Sequence, residues 1–450
     1  MKSAVKTAFL CSGCGNDFPK WHGQCPACNE WGTLSEFKIS KRSKKTVSEN
    51  RRKPASLAEI LYKQSTERLS AKLQEVDRVL GGGLLKGSVI LLGGSPGIGK
   101  STLALQIVVG CGVPSLFVSA EESEDQVAMR AKRLNIQSDD LQISGENQIE
   151  RILEHISLLK PELVIIDSIQ TVFGMEIDSL PGSPTQIRES GQQLLQMAKQ
   201  RGVSVIIIGH VTKEGVIAGP KMLEHMVDTV LYLEGDGRYD HRILRCVKNR
   251  FGATNEVGIF MMDEKGLMEV SNPSELFLGE RSTNVAGTAI YPSLEGTRPI
   301  LVEVQALVST ANFGTPQRNV NGFDYRRLSM LLAVLEKRMK IIMGTRDVFV
   351  NLVGGLKVND PAADLCIISA VASSAMEKVI PPDFVLIGEV GLTGEVRSVG
   401  QLKKRLIEAK ALGFTQALIP HSGKRSIKPL PKGLTVRPVS TVREAFNILF

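Results

Sequence analysis

The 450-residue chain has no apolar run of about 18 residues, the length a membrane-crossing helix requires. No membrane span is therefore expected. Its first residues, Met1-Lys2-Ser3-Ala4-Val5-Lys6, lead quickly into cysteines and hold no signal-peptide core. The expected location is the cytoplasm. No repeat at solenoid periods is present, which excludes a stacked-repeat architecture. The composition lacks bias too: 42% hydrophobic and 23% charged residues are ordinary for a soluble globular protein. The length predicts about three domains. A net charge of +8 is compatible with a polyanionic partner without identifying one.

Cysteine is sparse, seven in all, and four of the seven are clustered. Cys11, Cys14, Cys25 and Cys28 form two Cys-x-x-Cys knuckles separated by ten residues. Each knuckle presents two thiolates to one tetrahedral ion, which is how structural zinc is held. The alternative is a pair of disulfides, which a cytosolic setting disfavours. Four thiolates close the shell, so the expected Zn2+ site is structural. His22 lies inside the loop and reads as a bystander. Trp21 and Trp31 are expected to supply the small module's core. Cys111, Cys246 and Cys366 sit in apolar runs and read as buried small hydrophobes.

Four regions follow from the pattern. Residues 1–35 form the metal module. Residues 36–54 read as a mobile linker, dense in Lys and Arg from Lys38 to Lys53. Residues 55–273 alternate strand and helix. Strands are expected at 88–92, 115–119, 163–167, 203–209 and 229–233, and helices at 101–109, 126–134, 148–159 and 189–199. Such alternation implies a mostly parallel sheet with helices on both faces and ligands at the carboxyl ends of the strands. Residues 286–450 read as an α+β domain. Its strands are expected at 300–308, 348–353, 384–388 and 416–419, and its helices at 325–339, 362–377 and 401–412.

The most informative stretch is Gly94-Ser95-Pro96-Gly97-Ile98-Gly99-Lys100-Ser101, followed by Thr102. It fits G-x-x-x-x-G-K-[ST] and lies between an apolar strand and a helix, where a phosphate-binding loop belongs. Glycines let backbone N–H groups wrap the phosphates, and the helix N-terminus adds favourable partial charge. Lys100 is expected on the β/γ-phosphates of ATP, and Ser101 on Mg2+. Asp167 ends the apolar run Leu163–Ile166 and is the second Mg2+ candidate. Glu121 and Glu122 follow the strand 115–119. One of them is expected to activate water, with a slight leaning to Glu122. His210, after the strand 203–209, reads equally as a γ-phosphate sensor or a structural histidine.

These motifs, with Glu75-Val76-Asp77-Arg78-Val79-Leu80-Gly81-Gly82-Gly83 upstream, resemble a RecA/KaiC-type ATPase core. Lys248-Asn249-Arg250-Phe251-Gly252 is similar to the signature of the RadA (Sms) family of bacterial DNA repair proteins. So are the cysteine module with Trp21-x-Gly23-x-Cys25-Pro26-x-Cys28-x-x-Trp31, and Leu331–Arg338. The resemblance covers essentially the whole chain. It implies an ATP-driven motor on single-stranded and branched DNA that promotes branch migration and strand exchange. It also implies a RecA-type recombinase as partner and a homo-oligomer, a hexameric ring. Lys248 and Arg250 can complete a neighbour's active site in trans, or touch DNA phosphates; a plain solvated turn is the bland reading. DNA is expected on two loops. Thr212–Lys221 carries Lys213 and Lys221, and Val172–Arg188 carries Arg188; contacts there would be electrostatic and weak in sequence preference.

The C-terminal region resembles the Lon protease domain through Pro361-Ala362-Ala363, Gly388-Glu389-Val390-x-Leu392-x-Gly394-x-Val396 and Gly400-Gln401-Leu402-Lys403. Lon chemistry needs a Ser activated by a Lys. Ala362 stands at the Ser position, while Lys403 remains. Ser373 and Ser374 lie too far down the helix to substitute. The expected role is a scaffold for ring assembly or a DNA-binding surface, and the basic stretch Lys403-Lys404-Arg405 can serve either. The competing functions are an ATP-dependent protease, which Ala362 argues against, and a KaiC-like signalling ATPase, in which a cysteine module is not expected.

Overall fold

The computed structural model describes residues 6–11, 16–39, 56, 67–177, 179–210, 218–235, 240–278, 284–311, 314–355, 357–425, 427 and 432–450. The chain divides into two compact units, Met1–Glu269 and Val270–Phe450.

The metal module is a three-stranded antiparallel sheet. The central strand Lys6–Cys11 pairs with Asp17–Phe18 on one side and Leu34–Ile39 on the other. The last strand therefore carries residues 36–39 into the module, beyond the expected limit at 35. Cys11, Cys25 and Leu34 form its interior, with Phe9 and Phe18 packed against them. Trp21 and Trp31 do not supply this core; they are 61% and 75% exposed. The thiols and Leu34 fill the small interior, and the indoles lie outside, over Gly23. His22 stands edge-on to the Phe18 ring.

The region after the linker is built on a nine-stranded sheet. Its order is Gly266–Glu269, Val257–Asp263, His241–Asn249, Thr229–Glu234, Val89–Gly94, Ser204–His210, Leu163–Asp167, Ser115–Ser119 and Leu141–Ser144. The last six are parallel; the first three run antiparallel from the Thr229–Glu234 strand. Val89–Gly94, Leu163–Asp167 and Ser115–Ser119 are buried throughout, because helices cover both faces. Helix Lys100–Cys111 packs on one face, with Leu103, Ala104 and Ile107 against Ile90, Leu92 and Ile206. Helices Ile149–Leu159 and Pro184–Arg201 close the other, around Leu91, Val164 and Ile207. The parallel register brings Gly94, His210, Asp167 and Ser119 to one edge.

The second unit opens with helix Pro273–Leu278. A four-stranded sheet follows, in the order Thr288–Glu295, Arg298–Thr310, Arg346–Leu352, Arg318–Asn321. A parallel sheet of Phe384–Leu386, Gln416–Pro420 and Thr435–Val439 and the pair Glu389–Val390/Val396–Arg397 complete its strands. Helix Tyr325–Met339 has the expected bounds. Helix Asp364–Met376 is introduced by a short turn, Pro361–Ala363, which Asp360 caps through the Ala362 N–H.

Candidate active site

The phosphate loop is built by glycine where side chains cannot go. Gly97 and Gly99 have φ of 74° and 113°, where other residues are strained, and a Cβ on Gly94 would meet the Leu233 carbonyl oxygen at 2.6 Å. The following helix starts at Lys100 with no side chain capping it, so its first N–H groups stay available to a phosphate. Lys100 is buried and turns back into the loop, donating to the carbonyls of Gly94 and Ser95, both at 2.9 Å. Burial lowers its pKa to about 8.

The neighbouring strands add the remaining groups. The Ser101 hydroxyl hydrogen-bonds the Asp167 carboxyl; burial pushes that carboxyl up and this bond opposes the shift. Two oxygen donors side by side at a phosphate loop fit Mg2+, which takes oxygen ligands and keeps several waters. Lys100 Nζ also donates to His210 Nδ1 at 3.1 Å. An ammonium only donates, so His210 Nδ1 accepts and Nε2–H is left to donate to Glu121, at 3.0 Å. Ser168 donates to the same Glu121 oxygen. The His210 bond, then the Ser168 bond, hold the Glu121 carboxyl below the usual carboxylate range, against its partial burial.

Glu122 pairs with Arg130 of helix Glu124–Arg133, and this pair lies close enough to Asp167 to act on its carboxyl. Glu121, not Glu122, is the carboxylate bonded to His210 beside Lys100. The Ser123–Gln126 capping box starts that helix two residues earlier than its expected onset, at Glu124, immediately after the two carboxylates.

The Lys248–Gly252 segment is a structured turn leaving strand His241–Asn249. Lys248 Nζ donates to the carbonyls of Glu224, His225 and Val227, at 2.6, 3.2 and 2.8 Å, at the end of helix Ala218–Met226. Arg250 is about half exposed and pairs with Asp228 at 3.3 Å. Asp228 also accepts from the N–H of Val89, at the root of the phosphate-loop strand. Asn249 accepts from the Phe251 N–H at 3.0 Å. Arg68, which sequence reasoning did not single out, ties the turn to the Gly81–Gly83 loop by donating to the carbonyls of Phe251, Leu80 and Gly83.

Of the expected DNA contacts, Lys213 lies outside the described residues, and Lys221 falls within helix Ala218–Met226. Arg188 is not on a loop. It belongs to helix Pro184–Arg201, which begins early because Ser183 caps it and Pro184 suits its first turn. Gln186 of that helix fastens the preceding loop through Gly174, Ile177 and Ser179.

In the metal module the Cys11, Cys25 and Cys28 Sγ atoms lie within 4.8 Å of one another; Cys14 lies outside the described residues. An all-thiolate set converging on one point fits Zn2+. Among the described residues no histidine joins the cluster.

In the Lon-like unit Ala362 is fully buried. Ser373 is committed to the Lys378 carbonyl and the Gly287 N–H, and Ser374 to the Val308 N–H. Arg405 does not offer a DNA surface. It is buried and bonded to Asp360, Tyr291, and the carbonyls of Pro292 and Gly400. Helix Leu402–Ala411 turns it inward while Lys403 and Lys404 face solvent.

The parallel sheet, the phosphate loop and the carboxylates at its edge define a P-loop ATPase of RecA/KaiC-like fold. Residues 55–216 match a family model described as an AAA domain, residues 336–450 a Lon protease (S16) C-terminal proteolytic domain, and residues 9–36 a rubredoxin metal binding domain. The chain is 47% identical over 456 residues to "DNA repair protein RadA" of Bacillus subtilis (strain 168), covering 98% of each. It is 46% identical to the proteins of that name from Aquifex aeolicus and Pseudomonas aeruginosa, over 99% of each chain. A solved KaiC-like protein from Pyrococcus horikoshii is similar at 19% identity and a TM-score of 0.39, covering 46% of this chain and 100% of that one. The chain belongs to the DNA repair protein RadA family.

Proposed function

We propose that the chain is a DNA-dependent ATPase motor acting on recombination intermediates, promoting branch migration and strand exchange in repair by homologous recombination. The observation that carries the ATPase part is the meeting of Lys100, Ser101, Asp167, Glu121 and His210 at one sheet edge. Lys100 and the loop N–H groups hold the ATP phosphates. Ser101 and Asp167 would hold Mg2+, which when bound neutralises charge on the phosphate oxygens. Glu121, kept ionised by His210 and Ser168, takes the proton of the attacking water. His210 links that carboxylate to Lys100 and so to the γ-phosphate position.

Family membership supports DNA as the effector, with the segment holding Lys213 and Lys221 as a candidate contact and Arg188 as a weaker one. A hexameric ring in the cytoplasm and a RecA-type partner are part of the same reading. Arg250 is the residue proposed to act on a neighbour's nucleotide. Lys248 would have to leave three carbonyls to do so. The Lon-like unit is proposed as a scaffold for assembly, since Ala362 offers no nucleophile. Two measurements test the reading: ATP turnover with and without single-stranded DNA, and extension of branched DNA by the wild-type chain. Turnover that DNA leaves unchanged would reject it.

A further inference from the structure

Ser168 is the residue next to Asp167, fully buried, and no motif of the sequence assigns it a task. Its hydroxyl has one acceptor among the described contacts, Glu121 Oε1. Its carbonyl accepts from both the Thr171 N–H, at 3.3 Å, and the Thr171 hydroxyl, at 2.9 Å. The following Ile169 N–H is held by the carbonyl of Ile208, at 3.1 Å, on the adjacent strand. The turn after strand Leu163–Asp167 is thus fixed to the sheet. Its Gln170 donates to the carbonyl of His210 at 3.3 Å. One short turn supports both groups that meet at Glu121, the carboxylate directly and the histidine through its backbone.

We propose that Ser168 is a positioning residue for hydrolysis, aiming the Glu121 carboxylate at the attacking water. This rests on the assignment of Glu121 as the base. His210 Nε2 lies 3.0 and 3.1 Å from the two Glu121 oxygens, so its N–H alone lets the carboxylate pivot about one point; the Ser168 hydroxyl, from the turn after the neighbouring strand, adds a second point on Oε1 and fixes the carboxylate plane. Ser168 reaches the nucleotide only through Glu121, so its loss should lower kcat and spare binding.

The test uses the full chain with Mg2+ and saturating single-stranded DNA. Ser168→Ala should lower kcat about tenfold, the scale of one lost charge-assisted hydrogen bond, with ADP affinity within about twofold of wild type. The acid limb of kcat should move to higher pH, because a donor that favours the ionised carboxylate is gone; His210, Lys100 and Asp167 still face that carboxylate. Ser168→Cys, similar in size and a weaker donor, should fall between the two, and serves if the alanine variant does not fold. In a Glu121→Gln background the Ser168 substitution should have no further effect. Wild-type kcat with an unmoved acid limb in either variant overturns the proposal, as does an additive loss in the double variant. Wild-type turnover by Glu121→Gln alone would instead overturn the assignment of the base.

Discussion

Glu121 and Glu122 are consecutive residues that serve different partners: Glu121 accepts from His210 and Ser168, and Glu122 pairs with Arg130. One carboxylate faces the phosphate loop and the other anchors the helix that follows. Glu121→Gln should lower ATP turnover by roughly 100-fold or more while leaving nucleotide binding near wild type. Glu122→Gln should act mainly on thermal stability, by about 1 kcal/mol, since its partner Arg130 is largely covered. Steady-state kinetics and thermal melts of the two variants check this; equal kinetic losses in both would remove the distinction.

Lys100→Ala should abolish measurable turnover, because the phosphates lose their cationic partner. The wild-type pH profile gives a milder probe. The Lys100 ammonium of the free protein loses its proton as pH rises through about 8. Phosphate binding needs that proton, so kcat/KM should fall above pH 8, about tenfold per unit. In kcat the same limb should lie higher, because bound phosphate stabilises the ammonium. A flat kcat/KM from pH 7 to about 10 would contradict the burial of Lys100.

Cys28→Ser should release zinc and loosen the first module while the ATPase and Lon-like units stay folded. The module's interior is little more than its cysteines and Leu34, so the metal provides much of its stability. Metal analysis and limited proteolysis follow the two effects. Wild-type protein that contains no zinc and no free thiols among Cys11, Cys25 and Cys28 would refute the site.

Ala362→Ser should not create a protease. A hydroxyl there needs an aligned base, whereas Lys403 faces solvent and Arg405, bonded to Asp360, locks the turn that carries position 362. Casein degradation with ATP is the assay; robust cleavage would show a latent protease site.

Arg250→Ala should impair DNA-stimulated turnover more than nucleotide binding. If the guanidinium acts on a neighbour, mixing this variant with Lys100→Ala should recover activity, since some interfaces regain one intact half from each. If it touches DNA phosphates, mixing rescues nothing, and the salt slope of DNA affinity falls by about one unit. Weakened DNA affinity with normal hydrolysis rejects the trans role.

What was legible in the sequence was local. The phosphate loop is contiguous, its glycines and lysine fixed by the same few residues that use them. Asp167 could be read because four apolar residues place it at a strand end. Which of Glu121 and Glu122 turns toward His210 could not, since Arg130, Ser168 and His210 set it from three other segments. Ser168 and Arg68 carried no signal, because a serine and an arginine take their meaning from distant acceptors. Trp21 and Trp31 misled in the opposite sense: large aromatics suggest a core, but this module's interior is too small for an indole. Arg405 reads as part of a basic surface run, because the helix phase that turns it inward is invisible in a three-residue cluster.

The exposed indoles have a practical consequence. Trp21 and Trp31 are the two tryptophans of the chain, and both sit in the metal module. Excited selectively, the protein fluoresces from that module alone. Its emission is a built-in optical reporter of metal loss, or of a partner covering the ribbon, with no tryptophan background from the ATPase core or the Lon-like unit.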